Sequence, residues 1–202
     1  MRYISYWDPT YILVIIGAII CMAASVNVKS TFNKYSRMRG RSGMTGAQVA
    51  DLMLRSAGIY DVSIGRVRGS LSDHYDPRNM KVALSQNNYE SSSVSALAIA
   101  AHECGHAIQH KEGYLFMRIR SFIFPIVNLG TKFAYVVLII GLIANMMNLI
   151  WTGILLVGLG LLFQLVTLPV EFDASKRALK ELETNIVVPS ADIKGTKSML
   201  TA

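Results

Sequence analysis

Three stretches of the chain, Tyr11–Val28, Phe122–Ala144 and Leu149–Val170, are apolar over close to the roughly 20 residues a helix needs to cross a bilayer. No other feature restricts the fold as strongly. Each stretch reads as a transmembrane helix, and the segment between the first two leaves room for one modest domain. The chain has 202 residues, 52% hydrophobic and 16% charged, where an ordinary soluble domain has about 45–50% and about 25%. That balance excludes an intrinsically disordered chain, which needs low hydrophobicity and high net charge.

The flanks of the stretches set the topology. Ala23, Ala24 and Ser25 would suit signal-peptide cleavage, but Lys29, Lys34, Arg37, Arg39 and Arg41 follow the apolar run, whereas Arg2, with Asp8, precedes it. This asymmetry marks an uncleaved anchor with its N-terminus outside. The second and third stretches form a hairpin turned at Asn145-Met-Met-Asn148, and Lys176, Arg177 and Lys180 follow the third. Both large polar segments therefore fall on one side, the cytoplasmic one. Lys132 lies inside the second stretch: either the span starts later, near Val127, or the lysine snorkels or faces a cavity. Pro125 is placed to kink the entry. The net charge of +7 is thus spent on topology. The basic residues form no dense run with interleaved aromatics, so nucleic acid is not an expected partner. Cys21 and Cys104 make neither a CxxC pair nor a disulfide framework.

Between the spans, residues 29–43 read as a basic juxtamembrane linker. Thr45–Gly58 reads as an amphipathic helix with Val49, Leu52 and Met53 on one side and Gly58 as its stop. Asp61–Val67 and Met80–Ser85 read as strands, joined through turn chemistry at Asp73–Asn79, as a hairpin or two edge strands. The serines of 91–95 are N-cap candidates for a buried helix over Ala96–His110. Glu171–Glu183 reads as a charged helix followed by a mixed tail. The expected fold is a mainly α membrane protein with a small α+β domain. Its parts are an anchor over 1–28, the domain over 29–120, a transmembrane hairpin over 121–170, and a helix with the tail over 171–202.

The chemistry centres on His102-Glu103-Cys104-Gly105-His106. On a helix, positions i and i+4 share a face, so two imidazoles at this spacing can hold one Zn²⁺. Glu103 then sits beside the metal-activated water as a general base, and zinc lowers the water pKa and polarises the scissile carbonyl. A buried helix carrying two histidines and a glutamate needs something to satisfy them. A catalytic zinc keeps three protein ligands and one open position. A histidine six residues after His106 would supply the third, but that residue is Glu112. His110 continues the same face, yet one straight helix cannot wrap three turns around a metal, so His110 reads as support. Glu171, directly after the third stretch, is the candidate third ligand; otherwise it merely opens a solvated helix favoured by the helix dipole. Asp173 points elsewhere on such a helix.

Ser72–Arg78, Ala100–His110 and Val170–Ala178, taken together, resemble the YugP-type membrane zinc metallopeptidases of bacteria. The resemblance runs in order along nearly the whole chain. It implies His102 and His106 as zinc ligands, Glu103 as catalytic base and Glu171 as third ligand. More distantly, the chain is similar to the membrane protease HtpX and to prenyl-protein endopeptidases. Those place a Glu-x-x-x-Asp pair on the third-ligand helix, the Asp orienting a histidine; here the corresponding residue is Ser175. Chains of this type usually continue into one more hydrophobic segment, and this one ends at Leu200-Thr-Ala.

His74, Tyr75 and Arg78 are of the types that stabilise an oxyanion, and they can sit across the cleft from zinc; equally, the segment can be a tight turn. His74 and Tyr75 join Glu103 as catalytic candidates. The strand Met80–Ser85 is where an extended substrate would add. The expected function is an integral membrane zinc endopeptidase of the bacterial plasma membrane, multi-pass, with its site on the cytoplasmic side. Its partners are a protein or peptide substrate and the lipid bilayer, with a membrane-protein complex or homo-oligomer compatible with the spans. The alternative class is a non-catalytic zinc-containing membrane scaffold or adaptor.

Overall fold

The computed structural model describes residues 10–69, 71–186 and 188–202; Arg2 and Asp8 lie outside the described residues. The elements are α1 (Thr10–Ser36), α2 (Gly46–Ser56), β1 (Ser63–Val67), β2 (His74–Asp76), β3 (Lys81–Ser85), α3 (Gln86–Glu90), α4 (Val94–Lys111), α5 (Leu115–Ile143), α6 (Met147–Thr184) and α7 (Ser190–Leu200). The protein is mostly helical, and α1, α5 and α6 are long and apolar enough to cross a membrane.

Each long helix outruns its apolar stretch. The first continues through Ser36, so the expected linker over 29–43 is largely helix. The second starts at Leu115 and runs through Pro125 as one element. The third joins its apolar stretch to the charged Glu171–Glu183 segment without a break. That continuity ties Glu171 rigidly to the apolar helix before it. Helices α5 and α6 pack closely along their length: Gly141 lies against Leu149 and Ile150, and Gly153 against Ala134 and Leu138. Lys132 is exposed, on the side of α5 away from Ala134. At the centre of a bilayer a charged lysine costs about 3 kcal/mol on insertion scales.

The domain is built around α4. Thr45 caps α2 with a capping box: its hydroxyl accepts from Gln48 N, and its N–H donates to Gln48 Oε1. Gly58, at φ +66°, ends α2, and Lys111 of α4 donates to the freed carbonyls of Ala57 and Gly58. Ser93 caps α4 by accepting from Ala96 N. The core gathers Val49 and Met53 of α2, Val82 and Leu84 of β3, Leu97 and Cys104 of α4, and Val170 and Leu182 of α6, all nearly or wholly buried. The tail is not loose. Helix α7 packs against α4 and α1, and buried Asp192 accepts from Arg41 N and Ser42 N at 3.0 and 2.9 Å.

The sheet corrects the expected hairpin. Its order is β1-β3-β2, with β1 parallel and β2 antiparallel to β3. The strand over Lys81–Ser85 is therefore central, and no substrate can add to it. The physical reason lies in its composition. Val82, Ala83, Leu84 and Ser85 are all buried, the continuous run of a strand covered on both faces rather than the alternation of an edge strand. The edge strands are β1 and β2, and the one that borders the cleft is β2, inside the segment read as turn chemistry. Asp73 staples it in place, accepting from Ser85 N at 2.7 Å, Ser85 Oγ at 3.2 Å and Asn88 Nδ2 at 2.9 Å. Asp73→Ala leaves the buried Ser85 N–H unpaired. It is expected to cost about 2 kcal/mol, seen as a lower thermal midpoint in detergent; an unchanged midpoint contradicts the staple.

Candidate metal centre

One turn of α4 separates His102 from His106, so both imidazoles leave the same face. Their rings stand edge to face with centroids 4.7 Å apart. Glu171 reaches across from α6: its Oε2 lies 3.1 Å from His102 Nε2 and 3.3 Å from His106 Nε2. The three donor atoms fall within 4.8 Å of one another. The structure thus brings together the three residues that the sequence offered as ligands.

Both ring orientations are set from behind. His102 Nδ1 and Ser175 Oγ share a hydrogen bond at 3.1 Å. His106 Nδ1–H donates to Gln109 Oε1 at 3.0 Å. Gln109, wholly buried, is itself held: its Nε2 donates to Val170 O and to Asp173 Oδ2, each at 2.8 Å. Asp173 also pairs with Arg177, which reaches Glu112 at the end of α4. Asp173 therefore acts on His106 through Gln109, and Ser175 serves the position where an Asp stands in the more distant relatives. Both Nδ1 atoms being engaged, both Nε2 atoms face Glu171.

Glu103 is buried beside the histidines and lines the same cavity. Burial pushes its carboxyl pKa upward, against the pull of His102 and His106. Arg120 of α5 pairs with the other oxygen of Glu171 at 3.2 Å. The cavity has a volume of about 590 Å³; β2 with its following turn forms one wall, and Met117, Arg120, Ser121 and Phe124 of α5 form another. His74 lines it, and its Nδ1–H donates to Ser72 O at 2.8 Å, which leaves Nε2 available. Tyr75 also borders the cavity, but its hydroxyl lies 2.8 Å from His110 Nδ1. Burial, with Asp61 and Asp76, pushes that hydroxyl up to about 12, so it stays protonated, and it shares a hydrogen bond with His110. His110 supports Tyr75 rather than joining the ligand cluster.

Four residues of this site escaped the sequence reading: Gln109, Ser175 as a working partner, Arg120 and Gly105. Gln109 had a signal, standing three residues after His106 and seven after His102 on the same side of a helix that reads as buried. Arg120 and Gly105 had none, because their partners lie on other helices. Gly105 is where α4 meets α6: a Cβ there would sit 2.4 Å from Ala174 O.

The donor set fits zinc. It offers two imidazole nitrogens with their opposite nitrogens engaged, one carboxylate oxygen, and an open cavity on the remaining side. The Glu171 carboxylate oxygen that lies close to both imidazole nitrogens gives a cation a natural place. Gln109→Leu is expected to weaken zinc affinity by about 10–100-fold, measured by competition with a chelating indicator. Undiminished affinity would reduce Gln109 to packing.

The family model described as "Putative neutral zinc metallopeptidase" matches residues 10–202. The chain is 42% identical over 179 residues to "Putative membrane protease YugP" of Bacillus subtilis, which covers 89% of this chain and 80% of that protein. No solved structure matches it. The chain belongs to this family of zinc metallopeptidases.

Proposed function

We propose that this chain is an integral membrane zinc endopeptidase with a gluzincin-like site, which cuts membrane proteins or polypeptide close to the membrane. The observation that carries the reading is the convergence of His102 Nε2, His106 Nε2 and Glu171 Oε2 beside the buried Glu103, in a cavity walled by an apolar helix. His102, His106 and Glu171 hold the zinc. Bound there, zinc supplies Lewis acidity that activates a water and polarises the scissile carbonyl. Glu103 takes the proton of the attacking water at its carboxylate and delivers it to the leaving amine. Its raised pKa suits both halves of that task. Arg120 and Nε2 of His74 are placed to steady negative charge on the substrate oxygen. Tyr75, engaged with His110, holds β2 in position. The free edge of β2 offers its backbone to an extended substrate, in the role the sequence reading gave to Met80–Ser85.

The apolar helices α1, α5 and α6 span the bacterial plasma membrane. The basic flanks at Lys29–Arg41 and Lys176–Lys180 keep the domain on the cytoplasmic side. The open side of the ligand cluster supports catalysis over a structural zinc, which is usually closed by four protein ligands. The test is metal analysis of the purified chain together with cleavage of unfolded casein. One zinc per chain, cleavage lost on chelation and restored by zinc are expected. Cleavage that survives complete metal removal, or a chain that binds no zinc, overturns the reading.

A further inference from the structure

The cavity-lining face of α5 does not stop at Phe124. Four residues further along the same face is Asn128, then Lys132 four beyond that, then Tyr135. Tyr135 is 67% exposed and Lys132 is exposed too. Helix α6 covers a different side, the one marked by buried Ala134 and Gly141. Two residues of helix turn by about 200°, so Lys132 faces away from α6 where Ala134 faces it. A polar stripe thus climbs from the cleft into the bilayer, from half-buried Asn128 to exposed Lys132 and Tyr135, on a face that the described residues leave largely uncovered.

Lys132 is the demanding member. It stands ten residues after Phe122 and twelve before Ala144, about 15 and 18 Å from the two ends of the apolar stretch at ~1.5 Å per residue. Its stem reaches about 6 Å, so snorkelling brings the ammonium to neither surface. Its side chain leans toward the N-terminus of α5, and so toward the cleft. None of the ion pairs among the described residues includes it. The three apolar stretches contain no Asp or Glu, so a second copy of this chain would bring no opposite charge. An ionised group in the hydrocarbon needs an opposite charge or polar partner.

We propose that Asn128, Lys132 and Tyr135 form a docking track for one transmembrane helix of another protein, a helix carrying a carboxylate near mid-bilayer. The track guides the polypeptide that continues from that helix into the cleft beside β2. This rests on the membrane-spanning peptidase reading above and names the kind of substrate it selects.

The full chain as Glu103→Gln is reconstituted in phosphatidylcholine vesicles with a synthetic leucine-rich single-span peptide bearing one central Asp, or with its Leu twin. Association is read by energy transfer between labels. The Asp peptide is expected to associate at least tenfold more tightly than the twin. Lys132→Leu erases the preference while zinc content, the control for folding, stays unchanged; Lys132→Arg keeps it. A photocrosslinker on the cytoplasmic flank of the Asp peptide should attach to the segment His74–Arg78. Equal association of the two peptides, a preference that survives Lys132→Leu, or crosslinks only to α1 overturns the proposal. The readout needs no cleavage, so it stands apart from failure of the peptidase reading. Extraction of the chain from vesicles by alkaline carbonate would instead overturn the membrane-spanning reading.

Discussion

Glu103→Gln is expected to lower peptide cleavage by about 10²–10⁴-fold while leaving one zinc per chain. The two halves of this expectation come from different atoms. The atoms proposed to hold the zinc are His102 Nε2, His106 Nε2 and a Glu171 carboxylate oxygen, and Glu103 is not among them. Gln matches Glu in shape, so α4 and the ring bonds to Ser175 and Gln109 have no reason to move. What is lost is a carboxylate able to take a proton from the attacking water and hand it on. A linked effect separates chemistry from folding. Burial raises the Glu103 pKa in the folded chain, so ionisation of Glu103 disfavours the metal-stripped fold. That penalty is absent below the ordinary carboxylate range and grows as pH rises through it. Metal-stripped Glu103→Gln should therefore melt higher than the metal-stripped parent at neutral pH and match it in acid. Loss of zinc together with activity would reassign Glu103 as part of the metal-binding frame.

The division between what was legible in the sequence and what was not follows the range of each interaction. Three apolar stretches and one His-x-x-x-His spacing are local patterns, and they located the long helices and two residues of the candidate metal cluster. Glu171 was legible because it abuts an apolar stretch and so had to lie at the same surface as α4. The sheet was not, since β1 pairs in parallel with β3 across the intervening β2, a non-local arrangement with no turn signal of its own. The buried run Val82–Ser85 carried the missing clue. Helix ends failed for a different reason. Residues 29–36 and 171–184 are polar, and polarity reads as a boundary, but a helix that leaves an apolar layer can continue in water when a domain packs against it. The same continuation makes α6 a rigid link between the apolar layer and the third ligand. Helix α7 escaped because its partners, helices α1 and α4 and the backbone N–H groups of Arg41 and Ser42 that Asp192 holds, lie far from it in sequence.

Gly105→Ala is expected to damage the site as severely as loss of a ligand, although Gly105 touches no metal donor. Written as a motif, the two positions between Glu103 and His106 admit any residue. In this fold they differ. Cys104 is buried toward α2, its Sγ 3.7 Å from Ala50 O, and Cys104→Ala should leave zinc and activity nearly unchanged. Gly105 faces α6, where an added Cβ would fall 2.4 Å from Ala174 O and 3.0 Å from Ala174 C. Those are backbone atoms in the middle of a 38-residue helix and cannot swing aside as a side-chain end can. Helix α6 must retreat from α4. Ala174 lies between Asp173, which holds Gln109 behind His106, and Ser175, which orients His102, and it lies one turn after Glu171. One displacement therefore shifts the third ligand and both orienting contacts together. Overpacking of this kind costs about 1–3 kcal/mol of stability, and misplacement by about 1 Å costs on the order of 10²-fold in rate. The expected result for Gly105→Ala is a folded chain with a lower thermal midpoint, zinc affinity weakened at least as much as in Gln109→Leu, and cleavage reduced by about 10²-fold or more. Parent-like zinc affinity in Gly105→Ala would mean that α4 and α6 hold the ligands without their close approach at Ala174.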